Sequence, residues 1–252
     1  MSYPVLDPSR TDPALSKKCA LAVMAKAPRP GKVKTRLSPP LTFDESAALN
    51  VCFLRDTSQN LADVAHFANA DGLVCYTPVG EEALFDGILP QTFRLIPQRG
   101  DGFGERLFAA AEDILACGYS SVCLIDSDSP TVPAAAFEQA VKELARDGDR
   151  VVLGGSVDGG YYLIGLKAAH PAPFTHIHWS TETVYAETMA ALEGAGIEVV
   201  ELPTWYDVDD GTTLEVLTYE LLRSTPPPFA KMAGYPAPNS RQFLERRARE
   251  TP

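Results

Sequence analysis

The sequence lacks any run of about 18 apolar residues, which excludes a membrane-spanning helix. It also lacks a cysteine pair at metal or redox spacing. Its five cysteines, at positions 19, 52, 75, 117 and 123, are odd in number and far apart. Four lie in apolar stretches, which predicts reduced core thiols and a cytoplasmic protein. Histidine is scarce too. The only close pair among the four is His176 and His178, with no third ligand nearby in sequence, and this disfavours a zinc site. Positive charge is in deficit, with 22 Lys and Arg against 33 Asp and Glu, a formal net charge of −11. That argues against a nucleic-acid binder, which needs a basic footprint along the phosphate backbone. It leaves room for one phosphate-bearing small molecule held by a few local cations. The stretch from Met1 to Lys18 is polar and broken by Pro4, Pro8 and Pro13, without the apolar core of a signal peptide.

What is present is an ordinary globular balance: 252 residues, 45% hydrophobic and 22% charged. Such a length buries enough surface to dispense with disulfide or metal staples. Apolar, β-branched runs alternate with helical patterns, which predicts an α/β fold with a mainly parallel sheet covered by helices. Strands are expected at 19–25, 72–77, 92–97, 121–126, 151–153, 161–166 and 197–202. Helices are expected from the Thr42/Glu45 capping box to about Val64, briefly at 81–85, from the Gly100–Gly104 turn to Gly118, and from Pro133 to Gly148. Two more are expected from near Ser180 to about Leu192, and around Leu214–Leu222. The Asp158-Gly159-Gly160 turn is too short for a crossover helix, so the strands flanking it should be antiparallel or sharply bent. The organisation reads as an N-terminal tail at 1–18, one domain at 19–223 and a Pro-rich tail at 224–252, with a short helix from Ser240 as an option. No internal repeat is evident.

Four segments could carry chemistry. Lys26 to Arg36 places five cations in eleven positions directly after the first strand. Loops at the carboxyl ends of strands in open α/β sheets are where ligands bind, and Lys and Arg suit phosphate oxygens. Gly31 and the prolines at 28 and 30 shape this loop, but it is not a P-loop, because Lys26 stands where that pattern demands glycine. Asp126-Ser127-Asp128-Ser129-Pro130 ends the fourth strand. If the backbone stays extended, its two carboxylates point to one side, where they repel unless a cation such as Mg²⁺ or Mn²⁺ sits between them. The plainer reading is a helix cap by Asp128 or Ser129. Asp207-Val208-Asp209-Asp210 repeats the geometry after the last strand and could complete a metal shell, while Asp210 is suited to cap the Leu214 helix. Finally, Gly154 to Tyr162 combines glycines that permit close approach of a ligand with one charge, Asp158, a candidate acceptor-side base. A plain hairpin turn explains these glycines equally well. The Gly100–Gly104 turn lacks the full dinucleotide fingerprint.

Taken together, six stretches resemble one family. They are MAKAPRPGKVKTRL (24–37), GERL (104–107), SDSP (127–130), DGGYYLIGL (158–166), WST (179–181) and DVD (207–209), in order over about 185 residues. The chain resembles the bacterial GT-A-type glycosyltransferases found near radical-SAM and selenodomain proteins, a branch of the nucleotide-diphospho-sugar transferase superfamily. The resemblance implies a three-layer nucleotide-binding α/β fold, mainly parallel with a short antiparallel element. It implies a divalent metal, Mg²⁺ or Mn²⁺, at Asp128, supported by Asp209 or Asp207 with Asp126 beside them. It further implies nucleotide contacts from Lys26, Gly31, Lys34 and Arg36, with Gly104, Glu105 and Arg106 nearby, and an acceptor facing Asp158, Gly159, Gly160 and Tyr161. Position 126 is commonly Gly in that family, which makes Asp128 the stronger ligand. The expected partners are a nucleotide sugar or nucleoside triphosphate and a small-molecule acceptor, with no nucleic acid and no membrane span. Oligomeric state is left open. Three functions follow: glycosyl transfer from a nucleoside-diphosphate sugar, guanylyltransferase-like nucleotidyl transfer to a phosphorylated small molecule, and a catalytically silent nucleotide-binding module.

Overall fold

In the computed structural model, which describes residues 3–250, seven strands form one sheet. They are β1 (Cys19–Lys26), β2 (Ala70–Thr77), β3 (Arg94–Pro97), β4 (Ser121–Ile125), β5 (Arg150–Ser156), β6 (Tyr161–Leu166) and β7 (Glu198–Trp205). Their order is β3-β2-β1-β4-β6-β5-β7. All neighbouring pairs are parallel except β4–β6 and β5–β6, so β6 alone runs against the rest. This is the mainly parallel α/β fold with a short antiparallel element that the sequence implies.

Alternation along β1 shows why helices cover both faces. Leu21, Val23 and Ala25 pack into one core, and Ala20 and Ala22 into the other. The first core takes side chains from α1 (Phe43–Phe67), α3 (Ala134–Leu144), α5 (Gly211–Arg223) and α6 (Pro238–Glu250). The second takes them from α2 (Phe103–Ala116) and α4 (Val184–Gly194). The Thr42/Glu45 capping box forms as expected, Thr42 accepting from the Glu45 amide and Glu45 accepting from the Thr42 amide. Asp210 caps α5 through the Thr213 amide.

Two local expectations are corrected. The α4 helix begins at Val184 rather than near Ser180, which has a left-handed φ of 65°. The 178–183 segment instead folds around the Asp158-Gly159-Gly160 turn, with the Tyr185 amide donating to the Gly159 carbonyl at 2.7 Å. A Cβ on Gly159, whose φ is +91°, would collide with the Glu182 carbonyl, so this close approach demands glycine. Likewise neither Asp128 nor Ser129 caps α3, whose N-cap is Pro133.

The terminal segments pack on the domain. Leu6 donates to the Leu95 carbonyl and Leu95 to the Pro4 carbonyl, extending the sheet edge beside β3. Asp56, buried on α1, accepts from the amide and side chain of both Asn239 and Ser240 at 2.6–3.0 Å, anchoring the start of α6. Residues 1, 2, 251 and 252, the outer ends of the two expected tails, lie outside the described residues. Among the described residues no helix is long and apolar enough to cross a membrane, and all five cysteines are free thiols.

Candidate active site

The carboxyl ends of β1, β4, β5 and β7 meet at one rim of the sheet, together with the start of antiparallel β6. Two hollows open there. A cleft of about 500 Å³ runs between β4, the β5–β6 turn and the Trp179–Glu182 segment, and a basin of about 260 Å³ adjoins it beneath the basic loop. Arg36, Asp128 and Asp209 line both.

Lys34 sits at the junction. Its ammonium makes three contacts with oxygens: Asp128 Oδ1 at 2.9 Å, Asp209 Oδ1 at 2.8 Å and the Val208 carbonyl at 2.7 Å. Its side chain is only 5% exposed, and its φ of 49° puts a non-glycine residue in the left-handed region. Arg36, largely exposed, pairs with the other oxygen of Asp209. The Val208 amide donates to the Asp128 carbonyl at 2.9 Å, tying the two acidic loops together. The basic loop and both carboxylate loops therefore do converge.

The four rim aspartates do not act alike. Strand geometry does not reach Asp126 and Asp128, because β4 ends at Ile125, one residue before the first of them, yet both carboxylates line the cleft. Asp126 accepts from Ser129 Oγ at 2.6 Å. Burial, then the nearby charges of Asp128 and Asp207, push its carboxyl well above the ordinary range. Asp207 accepts from Ser156 Oγ at 2.9 Å and is pushed up to about 6, first by burial and then by Asp158 and Asp209. For Asp209 burial acts upward, but Lys34 and Arg36 outweigh it and hold the group below the usual carboxylate range. Burial of Lys34 acts downward, and Asp128 and Asp209 reverse it, so the ammonium is held charged. One carboxylate pair is thus matched by cations, and the other has its pKa raised by burial and by its acidic neighbours.

The remaining candidates divide. Asp158 lines the cleft, one oxygen accepting from the Gly160 amide at 2.8 Å, and Gly160 and Tyr161 line it too. Gly159 serves the turn. Lys26 lines the basin, whereas Gly31, at φ +68°, shapes the loop and lines neither hollow. Glu105 and Arg106 face away from both: Glu105 accepts from the amides of Asp101 and Gly102, and Arg106 donates to the Asp101 carbonyl. Gly104 contributes by absence of a side chain, since a Cβ there would lie 2.5 Å from Trp179 Nε1. Among the described residues no group of three or more His, Cys, Asp and Glu side chains is arranged to hold a metal ion.

Several site residues escaped the sequence. Phe103, 46% exposed, meets Trp179 edge to face at 5.1 Å, and Trp179 meets Tyr161 at 6.3 Å, forming an aromatic ledge along the cleft. An apolar residue inside a glycine-rich turn was the available signal for Phe103. Asn50 lines the basin with its Oδ1 buried and unpartnered, yet in the sequence it is one polar residue within a helical stripe.

These features define a three-layer α/β protein with an acidic, cation-bridged cleft at its strand ends. The family described as "Uncharacterized protein conserved in bacteria (DUF2064)" matches residues 60–181. The crystal structure of a "putative nucleotide-diphospho-sugar transferase" from Desulfovibrio desulfuricans G20 superposes with a TM-score of 0.74. It is 31% identical, over 91% of this chain and 97% of that one. The chain belongs to the nucleotide-diphospho-sugar transferase superfamily. Two more distant structures share the fold. CMP:2-keto-3-deoxy-manno-octonic acid synthetase complexed with CTP has a TM-score of 0.51 at 13% identity, over 82% of this chain and 100% of that one. The 4-diphosphocytidyl-2C-methyl-D-erythritol synthase of Anaerococcus prevotii DSM 20548 has a TM-score of 0.51 at 10% identity, over 82% and 99%. No curated protein matches the chain.

Proposed function

We propose that the chain is a divalent-cation-dependent transferase that moves a glycosyl group from a nucleoside-diphosphate sugar to a small-molecule acceptor. Within the superfamily we place it in the GT-A-type branch associated with radical-SAM and selenodomain proteins, on its six ordered motifs. The observation that carries the reading is the convergence of Lys34, Arg36, Asp128 and Asp209 beside a cleft of about 500 Å³. The donor set fits the cation. Carboxylate oxygens are hard ligands, and Asp128 and Asp209 already close on a positive charge, the Lys34 ammonium. Mg²⁺ is commonly held by one or two carboxylates plus substrate phosphates, so a full protein cage is not required. Asp128 and Asp209 would hold the metal, with Asp207 and Asp126 behind them. Its chemistry would be to neutralise diphosphate charge.

The protein's own groups then divide the work. Arg36 and Lys26 supply charge along the diphosphate as the anomeric carbon–oxygen bond breaks and the electron pair leaves with the nucleotide. The acceptor oxygen forms the new bond to that carbon, and its proton passes to Asp158, which lines the cleft. The Phe103–Trp179 ledge offers a stacking face for the base or the sugar. The reading places the enzyme in the cytoplasm, where free thiols stay reduced.

A second reading, nucleotidyl transfer, is favoured by the adjoining basin. Lys26, Lys32 and Arg36 line it, and it would suit the pyrophosphate end of a nucleoside triphosphate. A thermal-shift panel of nucleotides and nucleotide sugars with Mn²⁺ is the first test. A ligand at a hundredfold excess over its Kd stabilises by about 2.7 kcal/mol. Hydrolysis of a nucleotide sugar without added triphosphate supports glycosyl transfer. Pyrophosphate release from a triphosphate and a phosphorylated acceptor supports the second reading. Binding without turnover and indifferent to chelator means a silent nucleotide-binding module and overturns both.

A further inference from the structure

Lys34 presents a conflict that the proposed function leaves open. An ammonium has three N–H donors, and all three are engaged with protein oxygens: Asp128 Oδ1, Asp209 Oδ1 and the Val208 carbonyl. None is left for a phosphate. The same two carboxylate oxygens are those a divalent cation would take. A lysine and a metal cannot both sit there, since like charges at that separation repel strongly in a part-buried site.

We propose that Lys34 is a built-in stand-in for the divalent cation, and that loading drives its ammonium off the Asp128–Asp209 pair toward Asn50 in the basin that all four line, where it meets the ligand's phosphate. This rests on the proposed metal-dependent reading and refines it.

Three features prepare the exchange. The two carboxylates need a counter-charge when no ligand is bound, because both are about two-thirds buried and Asp126, Asp158 and Asp207 crowd them with further acidic groups. Lys34 supplies that charge from a segment that can release it: its backbone is left-handed, at the head of a single helical turn, Thr35–Leu37. The basin holds a landing place. Asn50 Oδ1 is buried there without a partner, and Phe53, one turn further along α1, already has the Lys34 ammonium 5.8 Å from its ring centroid. An orphaned buried acceptor in the basin that Lys34 also lines is a mismatch that the moved ammonium would relieve. Lys34 is therefore a positioning residue in two states. Unloaded, it keeps the acidic loops together. Loaded, it faces the phosphate.

The test measures Mn²⁺ binding to the full chain without nucleotide, by the electron spin resonance signal of free Mn²⁺. Wild type should bind weakly. Lys34→Met should bind at least about tenfold more tightly, because the competing charge is gone. Lys34→Arg should stay near wild type. Asp128→Asn in the Lys34→Met background should abolish the gain. A second readout uses the unaltered protein: Lys34 should be protected from reductive methylation when metal-free and become several-fold more reactive when Mn²⁺ alone is added, as read by mass spectrometry. Equal Mn²⁺ affinity in wild type and Lys34→Met, at a site that Asp128→Asn removes, would overturn the stand-in role and leave the metal site intact. Unchanged Lys34 reactivity while Mn²⁺ binds at that site would do the same. No Asp128-sensitive Mn²⁺ binding in any variant, with or without nucleotide, would overturn the metal-dependent reading and this inference with it.

Discussion

The two rims of the sheet differ in a way that separates a cavity from a site. At the amino ends of β1 and β4 lies a hollow of about 730 Å³, larger than the cleft at the opposite rim and lined by Val64, Val141 and Leu144, with Phe67, 88% exposed, at its edge. Its charges do not converge. Lys167 is spent on the carbonyls of Arg146 and Gly148, and Lys17 and Lys142 have no ion pair among the described residues. At the carboxyl rim the space is smaller, but five aspartates, three lysines and an arginine from four separate loops share it. Strand ends in a parallel sheet point their loops one way, so the carboxyl rim collects functional groups while the amino rim collects helix ends. Volume alone does not pick out the carboxyl rim, since a hollow of about 860 Å³ between α1 and α6 exceeds both.

That contrast can be broken by experiment. Asp128→Asn should have the largest effect: a loss of about 10²–10³-fold in turnover and of metal-dependent nucleotide binding, with folding intact by circular dichroism. Unchanged nucleotide affinity in Mn²⁺ would remove the carboxyl rim as the site. Next comes a carboxylate with the opposite job. Asp56 accepts four hydrogen bonds from the start of α6. Asp56→Ala should cost about 3 kcal/mol in urea unfolding and leave the Kd for nucleotide unchanged.

A smaller effect concerns Asp207, and it appears as a pH dependence. Folding raises this pKa from 3.8 to about 6, so between those values the native state holds a proton that the unfolded chain has released. Stability should therefore fall as pH rises from about 4 to about 6. Asp207→Asn keeps an acceptor for Ser156, and it should flatten that slope and stabilise the protein at pH 7 by about 2 kcal/mol after allowance for partial exposure. A slope that survives the substitution would assign it to another group, with Asp126 the first to examine. Trp179→Ala should weaken the bound nucleotide or sugar by about 1–2 kcal/mol in calorimetry, the amount a stacking face contributes. The smallest effect belongs to the amino rim: Phe67→Ser should alter stability and turnover by no more than about 0.5 kcal/mol. A large loss of turnover there would mean that the hollow of about 730 Å³ takes part after all.

Much of the fold was legible because its signals are local. The capping box at Thr42 and Glu45 starts α1 where the pattern placed it, and the Asp158-Gly159-Gly160 turn did join antiparallel strands. The start of α4 was missed because Ser180 and Thr181 look like helix caps, while the backbone of Glu182 lies against Gly159 and the helix starts only at Val184. The site was legible as three charged loops. The same-side argument for Asp126 and Asp128 extended strand geometry past the residue where β4 stops, although both carboxylates do line the one cleft. Phe103 and Asn50 were missed because their neighbours in space, Trp179 and the basic loop, lie far off in the chain.

By itself the sequence determined the alternation of strands and helices, the two-sided burial of β1, and which loops carry charge, because periodicity and turn chemistry act over a few residues. Only the tertiary structure decided that Lys34 closes on Asp128 and Asp209, that Asp126 and Asp207 accept from Ser129 and Ser156, and that Glu105 and Arg106 face elsewhere. Those outcomes depend on how crossovers bring distant loops together and on how far each charge is stripped of water, and neither quantity exists until the chain has folded.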